Sequence, residues 1–268
     1  MKVVVITGAS DGIGADLARQ WAGRDEQGLA LVLAARSLDK LEAVAAQCEA
    51  LGAQVLALRC DVEQQGDCRT LVEAAIARYG RIDVLVNNAG ISAHALLAEV
   101  DDLAWYERLM RVNFWGSVWT THAALPHLKA SRGRIVAVSS LAGLLGIPGR
   151  TAYSASKFAM GGFFEALRGE VAADGVSITV AYPGVVDTQI RYRGLNARGE
   201  ALGRSAMDER GAMTVQTCAR LILDGALARR REVVMTAKGR LGRWLKLLAP
   251  GLVDRMAMAA LKKEERPR

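Results

Sequence analysis

Seven short apolar runs, separated by longer stretches with helical periodicity, constrain this chain more than any other feature. The runs cover residues 3–7, 29–35, 54–60, 84–87, 134–139, 177–182 and 233–236. Between them lie segments such as 38–51, where Leu41, Val44, Ala45 and Cys48 recur at helical spacing. Strands that alternate with crossover-length helices predict βαβ units and a parallel sheet. A length of 268 residues with 51% hydrophobic side chains supports one such α/β unit with a large core. We therefore expect residues 1–237 to form a single folded body and residues 238–268 to extend it. In open parallel sheets, ligands bind beyond the carboxyl ends of the strands, so chemistry is expected just after the apolar runs.

The first run leads directly into a glycine-rich turn, Thr7 to Gly14, of spacing G-x-x-x-G-x-G. Gly8, Gly12 and Gly14 let the backbone turn tightly into a helix whose N-terminal N–H groups face a dinucleotide pyrophosphate. Ser10, Asp11 and Ile13 complete that loop. After the second run the chain reads Ala34-Ala35-Arg36-Ser37 and carries no acid for a ribose 2′-hydroxyl. Arg36 suits a 2′-phosphate instead, so NADP(H) is the preferred cofactor and NAD(H) the alternative; Asp11, an acid inside the glycine loop, counts against the phosphate. Asp61, followed by Val62 at the end of the third run, is placed to accept from an adenine amino group or to cap a helix.

Tyr153 and Lys157 lie four residues apart, on one face of a predicted helix, and Ser140 precedes the tyrosine by thirteen. A phenol is a weak acid near neutrality, so a tyrosine that transfers protons needs a cation beside it, which Lys157 supplies. Reduction of a carbonyl leaves alkoxide charge that Tyr153 can protonate, with Ser140 holding the substrate oxygen.

Together with Asn87-Asn88-Ala89-Gly90, Asn113 and Pro183-Gly184 through Val186 to Thr188, these motifs resemble, in order and spacing over about 230 residues, the short-chain dehydrogenases/reductases. The resemblance implies a Rossmann-type, doubly wound, seven-stranded parallel sheet with helices on both faces, and an Asn113, Ser140, Tyr153, Lys157 tetrad. It also implies that Lys157 holds the nicotinamide ribose, that Asn113 holds a water that reprotonates Lys157, and that Asn88, Ala89 and Gly90 lie beside the adenine ribose. Pro183, Gly184, Val186 and Thr188 would meet the nicotinamide carboxamide and phosphate. The implied activity moves hydride between NADP(H) and a ketone or secondary alcohol, with a hydrophobic substrate favoured and a homodimer or homotetramer as the assembly. The competing readings are a catalytically silent NADP-binding regulator and a membrane-associated scaffold.

The formal charge of +7 is unevenly placed: residues 1–237 hold 26 basic and 25 acidic side chains, and residues 238–268 hold 9 and 3. A neutral body with a basic tail argues against a nucleic-acid groove. In that tail Leu241, Trp244, Leu245 and Leu248 recur at helical spacing among Arg240, Arg243 and Lys246, and the pattern resumes after Pro250-Gly251. This predicts a pair of amphipathic helices that either wall the substrate pocket or dimer, touch a membrane peripherally, or order loosely. Segment 189–213 carries Arg191, Arg193, Arg198, Arg204 and Arg210 and is read as a solvated lid, with an acidic substrate as the alternative. The four cysteines are expected to be reduced, the three histidines show no ligand spacing, and the lack of a leader or membrane span suggests a cytoplasmic location.

Overall fold

A computed structural model describes residues 1–24, 28–203 and 211–264, of which Arg204 and Arg210 are therefore not part. The described residues form a sheet of seven parallel strands: β1 (Lys2–Thr7), β2 (Leu29–Ala35), β3 (Gln54–Arg59), β4 (Val84–Asn87), β5 (Arg134–Val138), β6 (Ser177–Tyr182) and β7 (Glu232–Val234). Their spatial order is β3-β2-β1-β4-β5-β6-β7, so the winding reverses between β1 and β4. That reversal opens a crevice at the carboxyl ends of those two strands.

Successive residues of a strand point to opposite faces, and β1 shows the consequence for the core. Val4 and Ile6 pack with Leu31, Leu33, Leu17 and Trp21 on one side. Val3 and Val5 pack with Val32, Leu85, Leu128 and Phe164 on the other. Helices α1 (Gly12–Ala22), α2 (Leu38–Ala50) and α3 (Gln65–Tyr79) cross between the first strands. They are followed by α4 (Ala104–Met110), α5 (Gly116–Ser131), α6 (Thr151–Glu170) and α7 (Val215–Leu227). One turn of π-helix, Arg111–Trp115, joins α4 to α5 and contains Asn113. Such turns rotate the side chains that follow them and recur at functional positions.

Two further helices follow β7: α8 (Ala237–Leu248) and α9 (Pro250–Glu264). The expected helix pair is present, but its stripe does not wall the cleft. Leu241, Trp244 and Leu248 are exposed, and Leu245 is half-buried. The opposite side of α8 rests on the body, where a Cβ at Gly239 would collide with Leu141 and one at Gly242 would come within 2.9 Å of Leu145. No helix among the described residues is long and apolar enough to cross a membrane.

Candidate active site

A continuous cleft of about 610 Å³ runs over the carboxyl ends of the strands, from Arg36 at one end to Tyr153 and Leu195 at the other. Its floor is the glycine turn. Gly8 and Gly12 adopt φ of +66° and +53°, where a side chain would be strained. A Cβ at Gly8 would also sit 2.8 Å from Ala89 Cα, and one at Gly14 would strike the Gly8 carbonyl and the Asn88 amide. The turn is thus packed directly on the segment after β4. Asn88 Nδ2 donates to the carbonyls of Thr7 and Gly8, while Thr7 Oγ1 accepts from the Asn88 and Ala89 N–H groups. Asn87 is buried and donates to Thr121 Oγ1, a bond that braces the sheet.

Asp11 caps α1 by accepting from Gly12 N at 2.7 Å, and its other oxygen pairs with Arg193 at 2.7 Å. The acid that counts against a phosphate in the sequence is therefore neutralised by a residue 182 positions away. Ser10 and Ile13 line the cleft beside it, and Thr188 lies across the turn, its methyl 3.4 Å from where a Gly12 Cβ would be. Arg36 is exposed at the end of β2, with Ser37 and Lys40 lining the same end of the cleft. Lys40 is absent from the sequence reading, although its position four residues after Arg36 was the signal that could have found it. Asp61 accepts from Glu63 N at 3.1 Å, and Gln64 takes the N-cap of α3, so Asp61 stabilises a turn and not that helix. Val62 is buried against Gly116.

The other end holds Ser140, Tyr153 and Lys157 together. Tyr153 and Lys157 occupy the first two turns of α6, both buried. Lys157 Nζ donates to the Val138 carbonyl at 3.0 Å and lies 5.9 Å from the Tyr153 ring centre. Burial pushes its pKa down from 10.5 to about 8. Ser140 Oγ accepts from Ala142 N at the start of a short 3₁₀ turn. Asn113 is fully buried: its amide donates to the Ile91 carbonyl and Ser156 Oγ, and its Oδ1 accepts from Ile91 N. Across Gly90, where a Cβ would lie 3.1 Å from Asn113 Oδ1 and 3.6 Å from Lys157 Nζ, the two side chains share one small space.

Arg150 was not singled out in the sequence. Its guanidinium stacks 4.4 Å over the Tyr153 ring while donating to Ser92 Oγ and the Ala93 carbonyl, so it fixes the phenol against the loop after β4. Pro183 and Gly184 line the cleft after β6, Val186 is buried, and its backbone bridges to Met213. The described loop arginines, Arg191, Arg193 and Arg198, do not converge on one anion. Arg193 is spent on Asp11, Arg191 is buried beside Asp187 at 3.6 Å, and Arg198 is exposed. A wholly solvated lid is corrected to this extent: Arg191 belongs to the cleft wall.

Residues 2–197 match the model of the short chain dehydrogenase family. The chain belongs to this family. It is an oxidoreductase acting on CH–OH groups. The 11-beta-hydroxysteroid dehydrogenase A of Sesamum indicum is 40% identical over 259 residues, spanning 94% of this chain and 73% of that one. The 11-beta-hydroxysteroid dehydrogenase 1A of Arabidopsis thaliana is 38% identical over 260 residues, with the same two shares. Among solved structures, a short chain dehydrogenase/reductase from Burkholderia phymatum in complex with NAD superposes with a TM-score of 0.80 at 26% identity, over 94% of each chain. An alcohol dehydrogenase from the archaeon Thermococcus sibiricus, complexed with 5-hydroxy-NADP, gives 0.74 at 28% identity over 87% of this chain and 94% of that one. The dehydrogenase thus belongs to a family that binds nicotinamide cofactors, and its solved neighbours carry both cofactor types.

Proposed function

We propose that the dehydrogenase uses NADP(H) to interconvert a ketone and a secondary alcohol on a hydrophobic substrate. The observation that carries this reading is the placement of Tyr153, Lys157 and Ser140 in one cleft with the glycine turn, with Arg36 and Lys40 at its far end. The fit of a dinucleotide rests on the turn itself, whose glycines let it pack directly on the segment after β4 and lead the cleft to the N-terminus of α1, where a pyrophosphate would approach. When bound, the nicotinamide supplies or accepts the hydride. Ser140 orients the substrate oxygen, and Tyr153 gives it the phenolic proton in reduction and takes that proton back in oxidation. Lys157 stabilises the phenolate and holds the ribose, and Asn113 is assigned the water that returns a proton to it. Arg150 keeps the ring in place.

The wall facing Tyr153 includes Leu141, Ala142, Ile147, Ile190 and Leu195, which favours an apolar substrate, and the steroid dehydrogenases among the relatives agree in kind. The decisive assay is oxidation of NADPH by a panel of ketones of graded size. A silent regulator would bind NADPH and turn over none of them.

Arg36→Asp should shift preference from NADPH to NADH. Arg36 makes no hydrogen bond or ion pair among the described residues, so the change removes a phosphate partner without leaving a buried group unpaired. One charged hydrogen bond is worth about 1.5–3 kcal/mol, or roughly ten- to a hundredfold in NADPH affinity. Fluorescence titration with both cofactors measures it, and a wild-type enzyme that already prefers NADH would refute the role.

A further inference from the structure

Arg150 belongs to a small bridged arrangement that joins the wall of the cleft to the start of α6. Its middle layer is the segment after β4, residues 92–95. On one side this segment pairs with the loop after β6: Leu195 N donates to the Ser92 carbonyl at 2.9 Å, His94 N donates to the Leu195 carbonyl at 2.8 Å, and Ala93 forms a parallel bridge with Leu195. On the other side Ala95 N donates to the Gly149 carbonyl at 2.8 Å, and Ala95 bridges Arg150, the residue before α6. The Arg150 side chain spans the same layers. Its Nε donates to the Ala93 carbonyl at 3.3 Å and its Nη2 to Ser92 Oγ at 2.5 Å, while the guanidinium covers the Tyr153 ring. Ser92 is buried, so these charge-assisted bonds are shielded from water. Loop 189–203 is in turn fixed at two outer points. Arg193 pairs with Asp11 at the start of α1, and the Ala197 carbonyl accepts from Trp105 Nε1 of α4 at 3.2 Å.

We propose that Arg150 is a positioning residue through which loop 189–203 sets Tyr153 for proton transfer. A shift of Leu195 moves residues 92–95, to which both the backbone and the fork of Arg150 are tied, and the guanidinium carries the ring with it. Leu195, Ala93, Ala95 and Tyr153 also share one apolar cluster, so the ring is held on its other sides by the same unit. The loop supplies Ile190 and Leu195 to the apolar wall of the cleft. Substrate wall and proton donor therefore have a common support, and a ketone seated against the wall meets the phenol in register. Proton transfer requires hydrogen-bond reach, and a misplacement of about 1 Å costs on the order of a hundredfold in rate. The inference rests on the proposed role of Tyr153 and adds to it the support that role requires.

The test is single-turnover oxidation of NADPH, at saturating cofactor, by the smallest ketone that the panel shows to be turned over. Arg150→Met should lower the rate about ten- to a hundredfold and leave NADPH affinity and the KM for the ketone unchanged. Arg150→Lys, which keeps a cation over the ring but loses the fork, should recover part of that loss. Coupling is read from a double-mutant cycle with the loop variant Arg193→Met/Trp105→Phe, which removes both outer anchors. By itself the loop variant should slow the step roughly two- to thirtyfold; added to Arg150→Met it should cost little more, whereas independent sites would multiply their factors. Wild-type turnover by Arg150→Met, an unaffected loop variant, or factors that multiply overturns the proposal. Should Arg150→Met not fold, Ser92→Ala takes its place, since it removes only the acceptor of the Nη2 bond, and wild-type turnover by that variant is equally fatal. An active Tyr153→Phe would bring down the reading of the site itself; an inactive Tyr153→Phe beside a fully active Arg150→Met brings down this inference alone.

Discussion

Tyr153→Phe should lower turnover by about a hundred- to ten-thousandfold and leave NADPH affinity essentially unchanged. The substitution is unusually clean at this position. The ring is buried between Arg150, 4.4 Å above it, and the first turns of α6, and phenylalanine preserves that stack and its volume. What disappears is one hydroxyl, the only phenol that lines the cleft beside Ser140 and Lys157 among the described residues. Single-turnover oxidation of NADPH measures the chemical step, and fluorescence titration measures the cofactor. Retention of more than about a tenth of wild-type turnover would remove Tyr153 from its role. A fall in affinity of similar size would mean that the loss came from a disturbed cleft.

Local features were legible from the chain, and contacts closed by the tertiary fold were not. Strand β2 matches the sequence run residue for residue because every one of its side chains is buried between two layers of helices, bounded by Gly28 and Arg36. Strand β7 is only three half-buried residues at the sheet edge, and its start at Glu232 carries no apolar signal. Tyr153 and Lys157 could be paired on paper because one helix fixes their geometry. The pairing of Arg193 with Asp11 and the clamp of Arg150 on Ser92 need loops brought together across the sheet, which no local period encodes. In α8 the period correctly groups Leu241, Trp244, Leu245 and Leu248. It cannot say which side faces the enzyme. Gly239 and Gly242 carry that information, since glycines on one face of a helix permit close approach, and that face is the seated one.

Lys157→Met should cost most of the activity and weaken cofactor binding, yet make the free enzyme's stability less dependent on pH. The lysine is buried at 4% exposure, and burial lowers its pKa from 10.5 to about 8. Below pH 8 the ammonium is charged in both folded and unfolded chains, so its full desolvation cost, about 3 kcal/mol for such a shift, weighs on the folded state. Between pH 8 and 10.5 the folded protein has released the proton while the unfolded chain still holds it, so wild-type stability rises with pH through that window relative to the variant. The buried thiols of Cys48 and Cys218, pushed up to about 11 and about 12, contribute equally to both proteins and cancel in the difference. Methionine leaves the Val138 carbonyl without its donor, a constant offset that does not alter the slope. Urea unfolding of the two apo proteins at pH 7 and pH 10 should therefore show the gap between them moving by about 3 kcal/mol in favour of the wild type as pH rises. A gap that stays fixed would show that Lys157 is not held against its charge. Loss of turnover with unchanged NADPH affinity would in turn remove the lysine from the ribose and leave it only the phenolate.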